Sequence, residues 1–266
     1  MHKNAFLYNY KGTLNINGTK EQPVVIQGDR LEADYDDVSG QFYGVYLDSA
    51  QSSVINYAVI KNGTVGIHIE GDGMNGSNPS LTLTNTIISN HARYGILNFF
   101  NGTLKAENCV IFKNGFHAFL NLGGGAFDFN HCDLLGYATG QEQLPAVGIS
   151  DYYQQTGFNV TGTIRNSVIY GLQETEIVFD TVGGGNTFII EHSLIRRTPA
   201  GTAPLFGVGN LWNLNPAFKN EPENDFQTWS TSPMINAANN MFQTLGNLDI
   251  KGISRGTTPD MGAYEF

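Results

Sequence analysis

The chain has 266 residues, 41% hydrophobic but only 14% charged, with 32 glycines, 12 tyrosines and 17 phenylalanines. That balance favours short strands joined by tight turns over helices. A formal charge of −10, with only 14 Lys and Arg, argues against nucleic acid as a partner, and no run of 18 apolar residues is present to span a membrane as a helix.

Met1-His2-Lys3-Asn4 leads straight into strand-like sequence, without a secretory leader. The native chain is therefore expected to extend further upstream. Residues 5–30 read as an incomplete first coil, with Thr13-Leu-Asn-Ile16 and Val24-Val-Ile26 as strands. The loop Asp34-Tyr-Asp-Asp37 follows, and then Gly44-Val-Tyr-Leu47 as a strand.

From residue 55 one phrase is written six times: Ile55-Asn-Tyr-Ala-Val-Ile60, Leu83-Thr-Asn-Thr-Ile-Ile88, Ala106-Glu-Asn-Cys-Val-Ile111, Phe129-Asn-His-Cys-Asp-Leu134, Ile164-Arg-Asn-Ser-Val-Ile169 and Ile190-Glu-His-Ser-Leu-Ile195. Repetition with a fixed polarity at each place is the mark of a solenoid. In the second copy Leu81 and Leu83 share one face of a strand, and Thr86 and Ile88 share another, but the step from Leu83 to Thr86 is odd. A bend must fall at Asn85, a residue type that tolerates the left-handed backbone conformation. Another short strand follows each phrase, as in Gly66-Ile-His-Ile69, Gly95-Ile-Leu-Asn98, Ala118-Phe-Leu-Asn121, Gly148-Ile-Ser150 and Glu176-Ile-Val-Phe179. Three strands per turn describe a parallel β-helix. The bend residues Tyr57, Asn85, Asn108, His131, Asn166 and His192 recur at intervals of 28, 23, 23, 35 and 26 residues. A minimal coil thus recurs, and the excess forms loops at 71–80, 136–146 and 151–159. The residue after each bend is small: Ala58, Thr86, Cys109, Cys132, Ser167 and Ser193. Cys109 and Cys132 therefore lie in register on adjacent coils. They read first as buried members of that column, with a disulfide or metal pair as the other reading.

Residues 201–266 abandon the phrase and carry Trp212, Trp229, Pro216, Pro222 and Pro233. This suits an irregular cap over the open end of a stack of about seven coils spanning residues 1–200. The segment contains Asn215-Pro-Ala-Phe218, Asp225-Phe226, Ser232-Pro-Met-Ile235 and Asp249-Ile-Lys-Gly252, and it ends Pro259-Asp-Met-Gly-Ala-Tyr-Glu-Phe266. It resembles the terminal block of bacterial secreted right-handed parallel β-helix proteins with a choice-of-anchor ending. Gln27-Gly-Asp-Arg-Leu31 and Gly40-Gln-Phe-Tyr-Gly44 resemble the opening coils of that group. The resemblance implies an all-β, single-stranded right-handed β-helix of the pectate-lyase-like superfold, at the bacterial cell surface or secreted, with its export signal outside this chain. It brings no agreed catalytic set.

Candidate functional residues fall in three groups. If Val45, Leu47, Ile67 and Ile69 point inward, then Tyr46, Asp48, His68 and Glu70 form one outward patch, a weak candidate for acid–base chemistry. Any solenoid also exposes such residues to solvent. Tyr152, Tyr153 and Phe158 in one loop, with Tyr137 at the start of another, are candidate glycan-stacking rings, or else fold back over the coil below. No cofactor is expected, but Asp34, Asp36 and Asp37, or Asp72 with Asn75 and Asn78, offer oxygens that suit calcium, without a defined calcium-loop spacing. The only Asp-Asp is Asp36-Asp37 in a loop, and the Gly-His-Gly and Arg-x-Lys of polygalacturonase-like enzymes are missing. The leading expectation is a carbohydrate-binding surface module without a recognised catalytic set. A polysaccharide lyase or glycoside hydrolase acting at the outward patch is the alternative, and a structural or adhesin shaft is the third.

Overall fold

The computed structural model describes residues 1–71, 80–137, 143–183, 185–201, 205–242 and 247–266. Three parallel sheets run the length of a coil stack, two of seven strands and one of eight. The first sheet contains Leu7–Tyr10, Val45–Asp48, Val65–Glu70, Tyr94–Phe99, Phe119–Leu122, Val147–Ser150 and Ile177–Asp180. The second sheet starts at Asn15–Asn17 and ends at Thr187–Glu191, and the third runs from Val24–Ile26 to Leu211–Trp212. Seven coils therefore carry all three strands. The first coil, expected to be incomplete, has all three because Leu7–Tyr10 supplies the strand that was not anticipated.

The bend between second and third strands occurs where the odd step requires it. Tyr57, Asn85, Asn108, His131, Asn166 and His192 have φ of 48°, 49°, 53°, 50°, 49° and 49°, a region costing a side chain roughly 1 kcal/mol or more. Hydrogen bonds along the column offset that cost. Asn108 Nδ2 donates to Asn85 Oδ1 (3.2 Å), and Asn85 Nδ2 donates to Asn56 Oδ1 (3.0 Å). Asn166 Nδ2 donates to Asn130 Oδ1 (3.1 Å).

The small column forms a second ladder. Thr86, Cys109, Cys132, Ser167 and Ser193 each donate to the carbonyl two residues earlier, at 2.8, 3.2, 3.3, 2.5 and 2.9 Å. The Ser167 and Ser193 hydroxyls also accept the amide of the residue one coil back, Cys132 at 3.0 Å and Ser167 at 3.1 Å. The position is fully buried, so only a small side chain fits, and the carbonyls of Thr84, Glu107, Asn130 and Arg165 accept these side chains beside the bend amide of the preceding coil. Cys109 and Cys132 are both free thiols, and burial, together with Cys109, pushes the Cys132 thiol well above its ordinary range.

Inward side chains of the three sheets form one continuous core, from Ile26 and Phe42 through Phe119 and Phe129 to Ile190 and Phe206. From Val110–Phe112 to Leu194–Ile195 the third sheet is buried on both sides, while Val24 and Val25 of its first strand are exposed. Its outward Val110, Phe112, Leu135, Val168 and Leu194 pack against Phe218, Phe226, Met234, Ile250, Met261 and Ala263 of the C-terminal segment. That segment lies along the flank of the stack, while Leu205, Phe206 and Trp212 pack against the core at the last coil. The continuous apolar pairs Val110-Ile111 and Val168-Ile169 follow from this burial, since a sheet covered on both faces has no reason to alternate.

Arg255, only 2% exposed, fastens the segment to the coils. Its guanidinium donates to Asn108 Oδ1 in the bend ladder (3.1 Å), to the carbonyls of Gly262 (2.9 Å) and Asp260 (3.2 Å), and to Glu265 Oε2 (3.3 Å). Asp133 of the third sheet accepts the Ala263 amide (3.2 Å), and Asp249 accepts the Glu265 amide (2.9 Å). Burial pushes the Asp133 and Glu265 carboxyls up to about 7 and also raises Asp260.

Three outcomes are expected. Neither thiol should react with a disulfide reagent in the native protein, and both should react after denaturation, as absorbance of the released chromophore would report. Because the folded pKa values of Asp133 and Glu265 lie above the unfolded carboxylate value, the stability they confer is present below about pH 4 and is lost as pH rises through about 7. Limited proteolysis within residues 218–266 should therefore speed up between pH 5 and pH 8. Arg255→Gln should lower unfolding free energy by about 3–5 kcal/mol at pH 7, and by less at pH 5, in denaturant titrations.

Candidate functional site

The outer face of the first sheet is where candidate residues converge. Strand alternation sends two side chains from each strand outward, and in-register pairing aligns them in two rows. One row is Tyr8, Tyr46, His68, Leu97, Leu120, Gly148 and Val178. The other is Tyr10, Asp48, Glu70, Phe99, Leu122, Ser150 and Asp180. Tyr46, Asp48, His68 and Glu70 thus meet as neighbours on consecutive coils.

Their geometry is specific. The Tyr46 and His68 rings stack at 4.3 Å with 5° between planes, and the Tyr46 hydroxyl donates to Glu70 Oε2. The Tyr8 hydroxyl donates to Asp48 Oδ2 at 2.6 Å, and that bond pushes the phenol up to about 12. Burial, followed by the bond to Glu70, raises Tyr46. Tyr43 Oη and His68 Nδ1 lie 2.8 Å apart, while His68 Nε2 is buried without a partner. Desolvation lowers the His68 pKa to about 4, against a smaller opposite pull from Asp48. The imidazole is therefore uncharged near neutrality and is poorly matched to general acid work there.

Beside this group lies a cleft of about 440 Å³ lined by Asn4, Phe6, Gly40, Phe42, Tyr43, Tyr46, Thr64 and His68. A second cleft of about 420 Å³ opens at the far end of the same face, with His117, Leu120, Ser150, Tyr152, Tyr153 and Asp180 in its walls. Tyr152–Tyr153 pairs with Thr156–Gly157 as a small antiparallel hairpin projecting after the first-sheet strand. The Tyr153 ring meets Phe99 edge-on at 4.8 Å, and Phe158 meets Phe100 at 5.3 Å. These aromatics fold back onto the face and wall it.

Tyr137 lies elsewhere. It follows the third-sheet strand Asp133–Gly136 and stacks on Phe226 at 5.9 Å beneath the C-terminal segment, so it does not join Tyr152 and Tyr153. Asp34, Asp36 and Asp37 are exposed, and their loop packs on the turn after Ala58–Lys61. Asn62 Nδ2 donates to the Asp36 carbonyl at 2.9 Å there, and the Lys61 ammonium stands 4.0 Å from the Asp36 carboxylate. Asp72, Asn75 and Asn78 lie outside the described residues. Among the described residues no three His, Cys, Asp or Glu side chains are grouped to hold a metal ion.

Sequence reasoning missed Phe6, Tyr8, Tyr10, Tyr43 and Phe99. The alternation Leu7-Tyr-Asn-Tyr10 was a legible strand signal, but Tyr43 and Phe99 reach the face only through coil register.

A family model described as "Right handed beta helix region" matches residues 24–213. Among solved structures, the crystal structure of pectate lyase Pel9A is similar at 15% identity, over 99% of this chain and 86% of that one, with a TM-score of 0.33. A likeness that loose supports nothing about activity. A comparison with curated proteins found no match.

His68 should stay uncharged until the pH approaches 4. Its folded pKa lies below the ordinary value, so the stability it confers is present above about pH 6.5 and is lost as pH falls toward 4. An NMR titration of the imidazole carbons would show the midpoint.

Proposed function

Since the chain belongs to the right-handed β-helix family, whose stacked strands present long regular faces, we propose that it binds a carbohydrate polymer along the outer face of its first sheet. The observation that carries this reading is the group of half-exposed rings beside the first cleft: Phe6 and Tyr8 at 50% and Tyr10 at 56% exposure. Tyr46 and His68 stack closely at 4.3 Å, whereas Tyr8 and Tyr10, near-parallel at 6.3 Å, keep about half of their surface exposed, so stacking on a sugar falls to them and to Phe6. Tyr152 and Tyr153 wall the opposite end. Six interstrand steps of about 4.8 Å make the face about 29 Å long, enough for several sugar units. Asp48, Glu70, Ser150 and Asp180 line one row and would accept hydroxyl hydrogen bonds. The two clefts favour a binding face over a plain shaft, and a polymer ligand fits a secreted or cell-surface location.

Hydrolysis at the same place is a second reading, favoured by one observation: Asp48 and Glu70 are direct register partners. The face carries no Lys or Arg at its outward strand positions, which weighs against a uronate lyase needing such a base.

The Tyr8→Ala/Tyr10→Ala double variant should bind insoluble polysaccharide roughly tenfold more weakly, about 1.4 kcal/mol, in depletion assays across a polymer panel. Reducing-end release measured on the same panel, and abolished by Glu70→Gln, would move the assignment to the hydrolytic reading.

A further inference from the structure

Each of the seven first-sheet strands places two residues in the outward rows, Gly148 among them. None of these is Lys or Arg, while Asp48, Glu70 and Asp180 are acidic. Asp48 and Glu70 are aligned on consecutive strands, an arrangement that like charges disfavour. Among the described residues neither forms an ion pair with Lys or Arg. Hydroxyls hold them instead, Tyr8 and Ser49 on Asp48 and Tyr46 on Glu70. Two cations border the face. The Lys11 ammonium lies 5.0 Å from the Tyr10 ring centroid, and the Arg93 guanidinium lies 5.9 Å from the Phe116 centroid. An independent observation points to a ligand here. His68 lines the first cleft, is only 8% exposed, and has an Nε2 with no partner in the protein.

We propose that the polymer bound at this face is built of amino sugars with free, protonated amines. The proposal rests on the glycan-binding reading above and names the sugar class. Ammonium groups at successive sugars would neutralise the Asp48–Glu70 row, and a neighbouring hydroxyl would satisfy His68 Nε2. A uronate polymer would instead set its carboxylates against the acidic row.

Calorimetric titration with hexamers of glucosamine, N-acetylglucosamine and galacturonic acid tests this. At 50 mM salt the glucosamine hexamer should bind about tenfold more tightly than the N-acetylated one, and the difference should shrink at 500 mM. Galacturonate should bind weakest. The preference should vanish in Asp48→Asn/Glu70→Gln, with a thermal melt confirming that the variant folds, and the salt dependence of the wild type stands as evidence without any variant. Equal or tighter binding of the N-acetylated or galacturonate hexamer would overturn the amine assignment and leave glycan binding intact. Binding of none of the three, or of any insoluble polymer, would overturn both.

Discussion

One backbone constraint organises the molecule: a residue in the left-handed conformation between the second and third strand of successive coils. It shifts the parity of the chain by one, so that strands on either side of the corner can both face the core. The cost recurs at each such coil, and two side-chain ladders offset it, one of Asn and His at the bend and one of small donors just beyond. Because the ladders are in register, a coil that lost its bend residue would unpair its neighbours as well. The same ladder supplies the anchor for the C-terminal segment, through Asn108 and Arg255.

Much of this was legible in the sequence, for a physical reason. Bend and small positions are set by neighbours a fixed distance away, so they leave a local signature. Asn85, Asn108 and Asn166 could be placed from spacing, and the cysteines fell into a column whose other members are Thr and Ser. The position of the C-terminal segment was harder to read, because it depends on which outward faces are left uncovered. The unbroken Val110-Ile111 and Val168-Ile169 pairs were the one available hint. Tyr137 failed for a related reason: an aromatic in a loop says nothing about which sheet that loop leaves.

The site was half legible. Alternation alone placed Tyr46, Asp48, His68 and Glu70 on one surface. It could not show that Tyr46 and His68 would occupy each other's faces, that Tyr43 would hold the imidazole, or that tyrosine hydroxyls would hold the acids. Those facts turn a group resembling an acid–base set into one whose histidine is uncharged and whose carboxylates already accept hydrogen bonds. The half-exposed rings of the face come from Phe6 and from the strand that follows it, Leu7–Tyr10, which was not recognised.

The strict alternation of inward and outward side chains on the first sheet separates stability from recognition. Ile67 and Ile69 can remain constant while His68 and Glu70, between and beside them, change one at a time. Each replacement changes the contacts of the outer face, such as those of Tyr43 and Tyr46, and leaves the inward core in place. A lineage carrying this scaffold can therefore change the chemistry of that face by point substitution, with no refolding intermediate to cross.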